Sequence, residues 1–252
     1  MNTKKILAIG NSFSQDAARY LQQVAEASGV QVLIWNLYIG GCSLESHWNN
    51  LEANSKVYQL QVNGTVTEKL MTIDEGLNAW DWDYITVQQA SPFSGWMDSY
   101  EPFLGLILKH IKELAPAAQI FIHETWAYEI SSTLPSFMRY NRSQQEMFEK
   151  LHSCYTTVAE KYKLDIIPCG EIIQRVRKLP AFDVEKGGIS LCRDGFHLSY
   201  DYGRYLAACV WVRKLFHVPL SNIFLPDSLF VEKAPDPMLL QILRQTVETF
   251  VQ

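Results

Sequence analysis

The stretch Ile6-Leu7-Ala8-Ile9-Gly10-Asn11-Ser12-Phe13-Ser14 decides how this chain is read. A short unbroken apolar run ending in a glycine is the mark of a strand buried on both faces of a parallel sheet, and the polar residues after it open a helix. Ser12 then falls at the C-terminal edge of the sheet, where ligands gather in open α/β folds. An ordinary helix cap has the same local pattern, because Ser and Asn accept the free N–H groups of a first helical turn. The turn alone leaves both readings open.

Beyond it, helical and strand patterns alternate. A helix is expected over 15–28, stopped by Gly29, then a strand over 30–39 ending at Gly40-Gly41 and a short helix over 43–54. Residues 57–70, alternating around Asn63-Gly64, read as an inserted β-hairpin. Further strands are expected over 83–89, 119–125 and 165–168, with helices over 103–114 and 136–162 and another ending near Leu179. A buried helix follows His197. Strands alternating with helices imply a parallel sheet covered on both faces by right-handed crossovers. The expected fold is a flavodoxin-like three-layer α/β/α sandwich with a five-stranded parallel sheet, occupying 1–218 and followed by a C-terminal appendix, 219–252, packed on the same domain.

Composition sets the outer limits. At 252 residues, 48% hydrophobic and 19% charged, the chain can bury a full core. A formal charge of −5 without a basic stripe speaks against nucleic acid as a partner. No apolar run reaches the roughly 20 residues of a membrane span, so no membrane partner is expected and the placement read is cytoplasmic. The five cysteines are widely spaced, with no Cys-x-x-Cys pair, and read as reduced structural residues instead of metal ligands.

The far end of the sequence sharpens the meaning of Ser12. Arg193-Asp194-Gly195-Phe196-His197 sets a carboxylate and an imidazole three positions apart in a glycine-containing turn. A histidine that takes a proton from a serine needs a carboxylate to orient it and to stabilise the imidazolium. None of the other five histidines lies in such a turn; His123 merely has Glu124 as its neighbour in a strand pattern.

Ser12 first, Gly40-Gly41 and Gln88-Gln89-Ala90-Ser91 between, Asp194 and His197 last is the block order of the SGNH (GDSL-like) hydrolases, and the chain resembles that superfamily over roughly residues 4 to 217. It resembles a branch with Gly-Asn-Ser-Phe-Ser as first block and Gln-Gln-Ala-Ser as third. The resemblance implies a serine esterase with Ser12 as nucleophile, His197 as base and Asp194 as its orienter, and no cofactor. Its oxyanion hole draws on the backbone N–H of Ser12, on Gly40 and Gly41, and on Gln88 or Gln89, of which strand alternation lets one face the site. A Gly-Gly second block with a Gln-containing third block is similar to the sialate O-acetylesterases. That likeness points to small acyl groups, acetyl first, on a carbohydrate or other small-molecule ester. Trp96, Trp126 and Tyr128, on loops after strands, are candidates for a platform under a sugar ring. A lipase or thioesterase, or an inactive carbohydrate-binding member of the fold, are the alternatives.

Overall fold

The computed structural model describes residues 3–220 and 234–252. At its centre is β1 (Lys4–Gly10), buried from Ile6 to its end, as its unbroken apolar run requires. Parallel to it lie β2 (Val32–Tyr38) on one side and β5 (Tyr84–Val87) on the other. Next to β5 come β6 (Gln119–His123) and β7 (Asp165–Ile167), also parallel. The parallel strands thus run β2-β1-β5-β6-β7, the flavodoxin-like order.

The sheet is larger than the five strands read from the sequence. The hairpin β3 (Tyr58–Val62) and β4 (Thr65–Met71) pairs antiparallel onto β2 and completes a 7-stranded sheet. It is part of the sheet and not an appended decoration, for two reasons. Its turn residues Asn63 and Gly64 both have positive φ, the conformation that matches hairpin twist. Its Gln61 lies opposite Asn36 of β2 and accepts from the Asn36 amide at 2.9 Å, a buried polar link that an isolated hairpin would lack.

Two long helices of the sequence reading are each interrupted. The first becomes α1 (Ser12–Ala18) and α2 (Leu21–Ala27). The stretch 136–162 divides into a 3-10 turn, Pro135–Tyr140, and α6 (Gln144–Tyr162), because Asn141 and Arg142 both adopt φ 53°, which no helix accommodates. Between β2 and α6 run α3 (Leu44–Glu52), α4 (Ile73–Leu77) and α5 (Phe103–Leu114). After β7 come α7 (Cys169–Val176), α8 (Tyr202–Phe216) and α9 (Pro237–Phe250). The Asp194–His197 turn precedes α8 by several residues instead of opening it. Within the 219–252 appendix, α9 packs on α8, tied by the Arg244 guanidinium donating to the Tyr205 hydroxyl at 2.9 Å; 221–233 lie outside the described residues. All five cysteines are free and buried, and among the described residues no helix is long and apolar enough to cross a membrane.

Candidate active site

The loops after β1, β2, β5 and β6 all leave the same edge of the sheet, because these strands are parallel and in register. Ser12 is the first residue of α1 and is partly exposed. Its hydroxyl and its backbone N–H have no hydrogen-bond partner among the described residues. The capping role that competed for this serine belongs to Asn11, whose Oδ1 accepts the Phe13 N–H at 3.0 Å. Asn11 also donates to the Cys42 carbonyl after the Gly40-Gly41 turn, and accepts from Gln88 Nε2 at 2.7 Å. One amide therefore locks the ends of β1, β2 and β5 together beneath Ser12. Gly10 is required there: a Cβ at that position would lie 2.2 Å from Ser14 Oγ.

The two third-block glutamines are both buried, and their amides are spent differently. Gln89 donates to the Ser99 carbonyl and hydroxyl at 2.8 and 3.0 Å and accepts from the N–H groups of Leu44 and Ala90. Both its amide protons are committed, so it pins the loop after β5 to the start of α3. Gln88 lies under the Ser12 turn, one amide proton on Asn11 and its Oε1 2.7 Å from His123 Nδ1. An amide oxygen only accepts, so that imidazole carries its proton on Nδ1. Burial pushes His123 down to about 3, which keeps it neutral. A relay of fixed polarity thus runs His123 to Gln88 to Asn11. Gly40 and Gly41 are exposed at the end of β2, with N–H groups unpartnered among the described residues.

Asp194 and His197 meet as their spacing suggests. His197 Nδ1 lies 2.7 Å from Asp194 Oδ2, and Asp194 Oδ1 accepts the N–H groups of His197 and Phe196 at 2.8 and 3.2 Å. Burial raises the Asp194 carboxyl, but the bonds from His197 and the backbone outweigh it and hold it below its usual range. The carboxylate accepts the hydrogen bond from Nδ1–H, which leaves Nε2 as the basic nitrogen. Gly195 makes the turn possible: its φ is +82°, and a Cβ there would press on the Ser132 backbone at 2.7 Å.

What joins this turn to Ser12 is a residue that the sequence reading passed over. Asp16, one turn along α1 and fully buried, accepts from Arg193 at 3.0 and 3.1 Å, from Arg204 at 2.8 Å and from the Leu198 N–H at 2.8 Å. Arg193 and Leu198 flank Asp194 and His197 on either side, and Arg193 closes the loop by donating to the Leu198 carbonyl. The helix that begins with Ser12 therefore holds both ends of the turn that carries His197. Phe13 adds an apolar contact, its ring centroid 6.2 Å from that of His197.

Two of the three aromatic platform candidates are corrected by their burial. Trp126 and Tyr128 are each 0% exposed, so neither can offer a face to a ligand from solvent. Trp126 stacks on Phe13 at 4.2 Å and donates its indole N–H to the Phe196 carbonyl, bracing the turn from below. The Tyr128 hydroxyl lies 3.0 Å from Ser91 Oγ. Trp96 is 42% exposed, with the Lys150 ammonium 5.7 Å from its ring.

The chain as a whole matches a known family, and its fold matches that of solved structures. A family model described as a domain of unknown function, DUF4886, matches residues 5–235. Among solved structures, a DUF4886 family protein from Bacteroides uniformis is 36% identical, with TM-score 0.89 over 98% of this chain and 94% of that one. A protein from Slackia heliotrinireducens described as a candidate SGNH hydrolase is 20% identical, with TM-score 0.57 over 84% of this chain and 98% of its own. The acetylxylan esterase Axe2 from Geobacillus stearothermophilus is 15% identical, with TM-score 0.53 over 83% and 93% of the two chains. No curated protein matches the chain. The chain belongs to the DUF4886 family, and its fold is that of the SGNH hydrolases.

Proposed function

We propose that this protein is a serine esterase in which Ser12 attacks an ester carbonyl, His197 Nε2 takes the serine proton and returns it to the leaving alcohol, and Asp194 holds His197 in the required tautomer. The observation that carries the reading is the buried Asp16, which ties the helix of Ser12 to both flanks of the Asp194–His197 turn. A buried carboxylate with two arginines is expensive to assemble, and here it serves to hold two distant stretches of chain in one geometry. Ser12 has the features of a nucleophile, being partly exposed with a hydroxyl that nothing else engages. No hydrogen bond links it to His197 among the described residues; in unliganded enzymes such contacts are often long and tighten with substrate.

The oxyanion of the tetrahedral intermediate is received by the Ser12 N–H at the start of α1 and by the Gly41 N–H, with Gly40 beside it. Gln88 keeps one amide proton to contribute and positions Asn11; Gln89 has none left. The substrate class proposed is a small acyl ester, acetyl first, of a carbohydrate, with Trp96 as the one exposed aromatic of the three candidates. Axe2, of like fold, is an acetylxylan esterase, and a lipase/acylhydrolase from Enterococcus faecalis shares the fold as well, so acyl length is what the test below must read.

The test is labelling with a fluorophosphonate followed by peptide mapping, then a screen of acetylated sugars against esters of increasing acyl length. Label on Ser12 and faster turnover of acetyl esters are expected. Label elsewhere, or none with the folded protein, would overturn the assignment.

A further inference from the structure

A cavity of about 380 Å³ lies against the start of α6 and the end of α7. Three of the residues that line it carry buried polar atoms with no partner among the described residues: Arg177 Nε, Gln144 Nε2 and Gln174 Oε1. Arg177 and Gln174 are only 6% and 5% exposed. Buried polar groups are ordinarily satisfied, and three orphans around one cavity call for a ligand that completes them. Two of them are donors and one an acceptor.

Charge adds to this. Arg142, Arg177, Lys178 and Lys186 line the cavity against Asp183 and Glu185, and Lys186 is already paired with Asp183 at 2.8 Å. At the start of α6, a helix of 19 residues, the first two N–H groups, of Gln144 and Gln145, have no partner among the described residues, so the positive end of the helix dipole faces the same space.

From these features we infer that the cavity binds a small hydroxylated carboxylate of the sugar-acid type. Its carboxylate accepts from Arg177 Nε, Gln144 Nε2 and the α6 N–H groups, and a hydroxyl donates to Gln174 Oε1. The volume is that of a site for a small molecule. Arg177 also donates to the Ala127 carbonyl and to Cys192 Sγ, two positions ahead of Asp194, so an occupant would touch a residue that braces the catalytic turn.

The test is titration calorimetry with D-glucuronate as probe and D-glucose as its uncharged counterpart, on the full chain. Glucuronate should bind with a Kd at or below about 1 mM, and glucose should give no heat. Gln144→Glu places a carboxylate where helix starts favour one, so the fold is retained while the anion is repelled; binding should weaken at least about tenfold. Lys178→Glu, at an exposed position, should weaken it in the same direction. Ser12→Ala should bind glucuronate as the wild type does, which separates this site from the esterase reading. Absence of binding up to about 20 mM glucuronate, equal binding of glucose, or an unchanged Kd in Gln144→Glu would each overturn the inference.

Discussion

Two carboxylate–histidine pairs stand at the same edge of the sheet, and the setting of the carboxylate makes them different devices. Asp194 is partly exposed in a loop, and every bond it accepts comes from its own turn, so in the proposed reading its work is to orient His197. Glu124, just after β6, is fully buried; it lies 2.6 Å from His152 Nδ1 on α6 and accepts the Glu171 N–H at the start of α7. Burial raises the Glu124 carboxyl, and the bond to that carboxylate raises His152. The loop pair answers to Ser12 through Asp16, whereas the buried pair clamps a strand to two helices. A short carboxylate–imidazole distance is therefore not a catalytic signature by itself; what the other end of the imidazole can reach decides.

The comparison breaks first on activity. Replacing His197 or Ser12 by Ala should cost on the order of 10⁴-fold or more in hydrolysis of p-nitrophenyl acetate, with the double variant hardly worse, since members of one catalytic unit are not additive. His152→Ala should leave the rate within about threefold. An equal loss in His152→Ala would make the buried pair the functional one.

The link through Asp16 comes next. Asp16→Asn leaves Arg193 and Arg204 facing an amide in a buried place, which should cost about 3 kcal/mol and lower the melting temperature by roughly 10 °C. If the tie also positions the turn, kcat should fall in the protein that remains folded, with the Michaelis constant little changed. Circular dichroism melts beside steady-state kinetics separate the two. Full activity in a destabilised Asp16→Asn would show that the tie is for stability alone.

The third-block glutamines give a smaller contrast. Gln88→Ala should lower kcat by on the order of tenfold or more, through the lost donor and a freed Asn11. Gln89→Ala should leave the rate nearly intact and cost about 1–3 kcal/mol of stability, because it unpairs the Leu44 N–H and the Ser99 carbonyl. The opposite pattern would return the oxyanion role to Gln89.

The smallest effect is in pH. A histidine whose folded pKa is raised contributes stability that is complete below its ordinary value of 6.5 and is lost as pH rises through the higher folded value. Glu124, also raised, has the same sign from its ordinary 4.5 upward. Between about pH 6 and 8 the wild type should therefore lose more melting temperature than His152→Gln does. Parallel curves would remove the buried pair as a source of pH dependence. Hydrolysis should instead weaken toward acid, the direction expected of a reaction that needs a neutral general base.

Much of the fold was legible because its signals are local. The apolar run of β1, the helix over Phe103–Leu114 and the Asn63-Gly64 turn each depend on a handful of adjacent residues. The Asp-x-x-His turn was legible for the same reason, since its partners are three positions apart. The fates of Trp126 and Tyr128 were not, because burial depends on which loops fold over them. Asp16 left no signal either: in sequence it is one acid on a short helix, and its partners lie 177 to 188 positions away.

The sequence by itself determined the alternation of strands and helices, the serine at the end of the first strand, and the carboxylate beside His197, all set by short-range sterics, periodicity and spacing. Only the tertiary structure decided that the hairpin extends the sheet, that Asn11 and not Ser12 caps α1, that Gln89 is spent on Ser99 and Leu44, and that a buried aspartate holds the two halves of the site together. Each of those depends on which polar groups find partners once water is excluded, and that is settled only when distant segments pack.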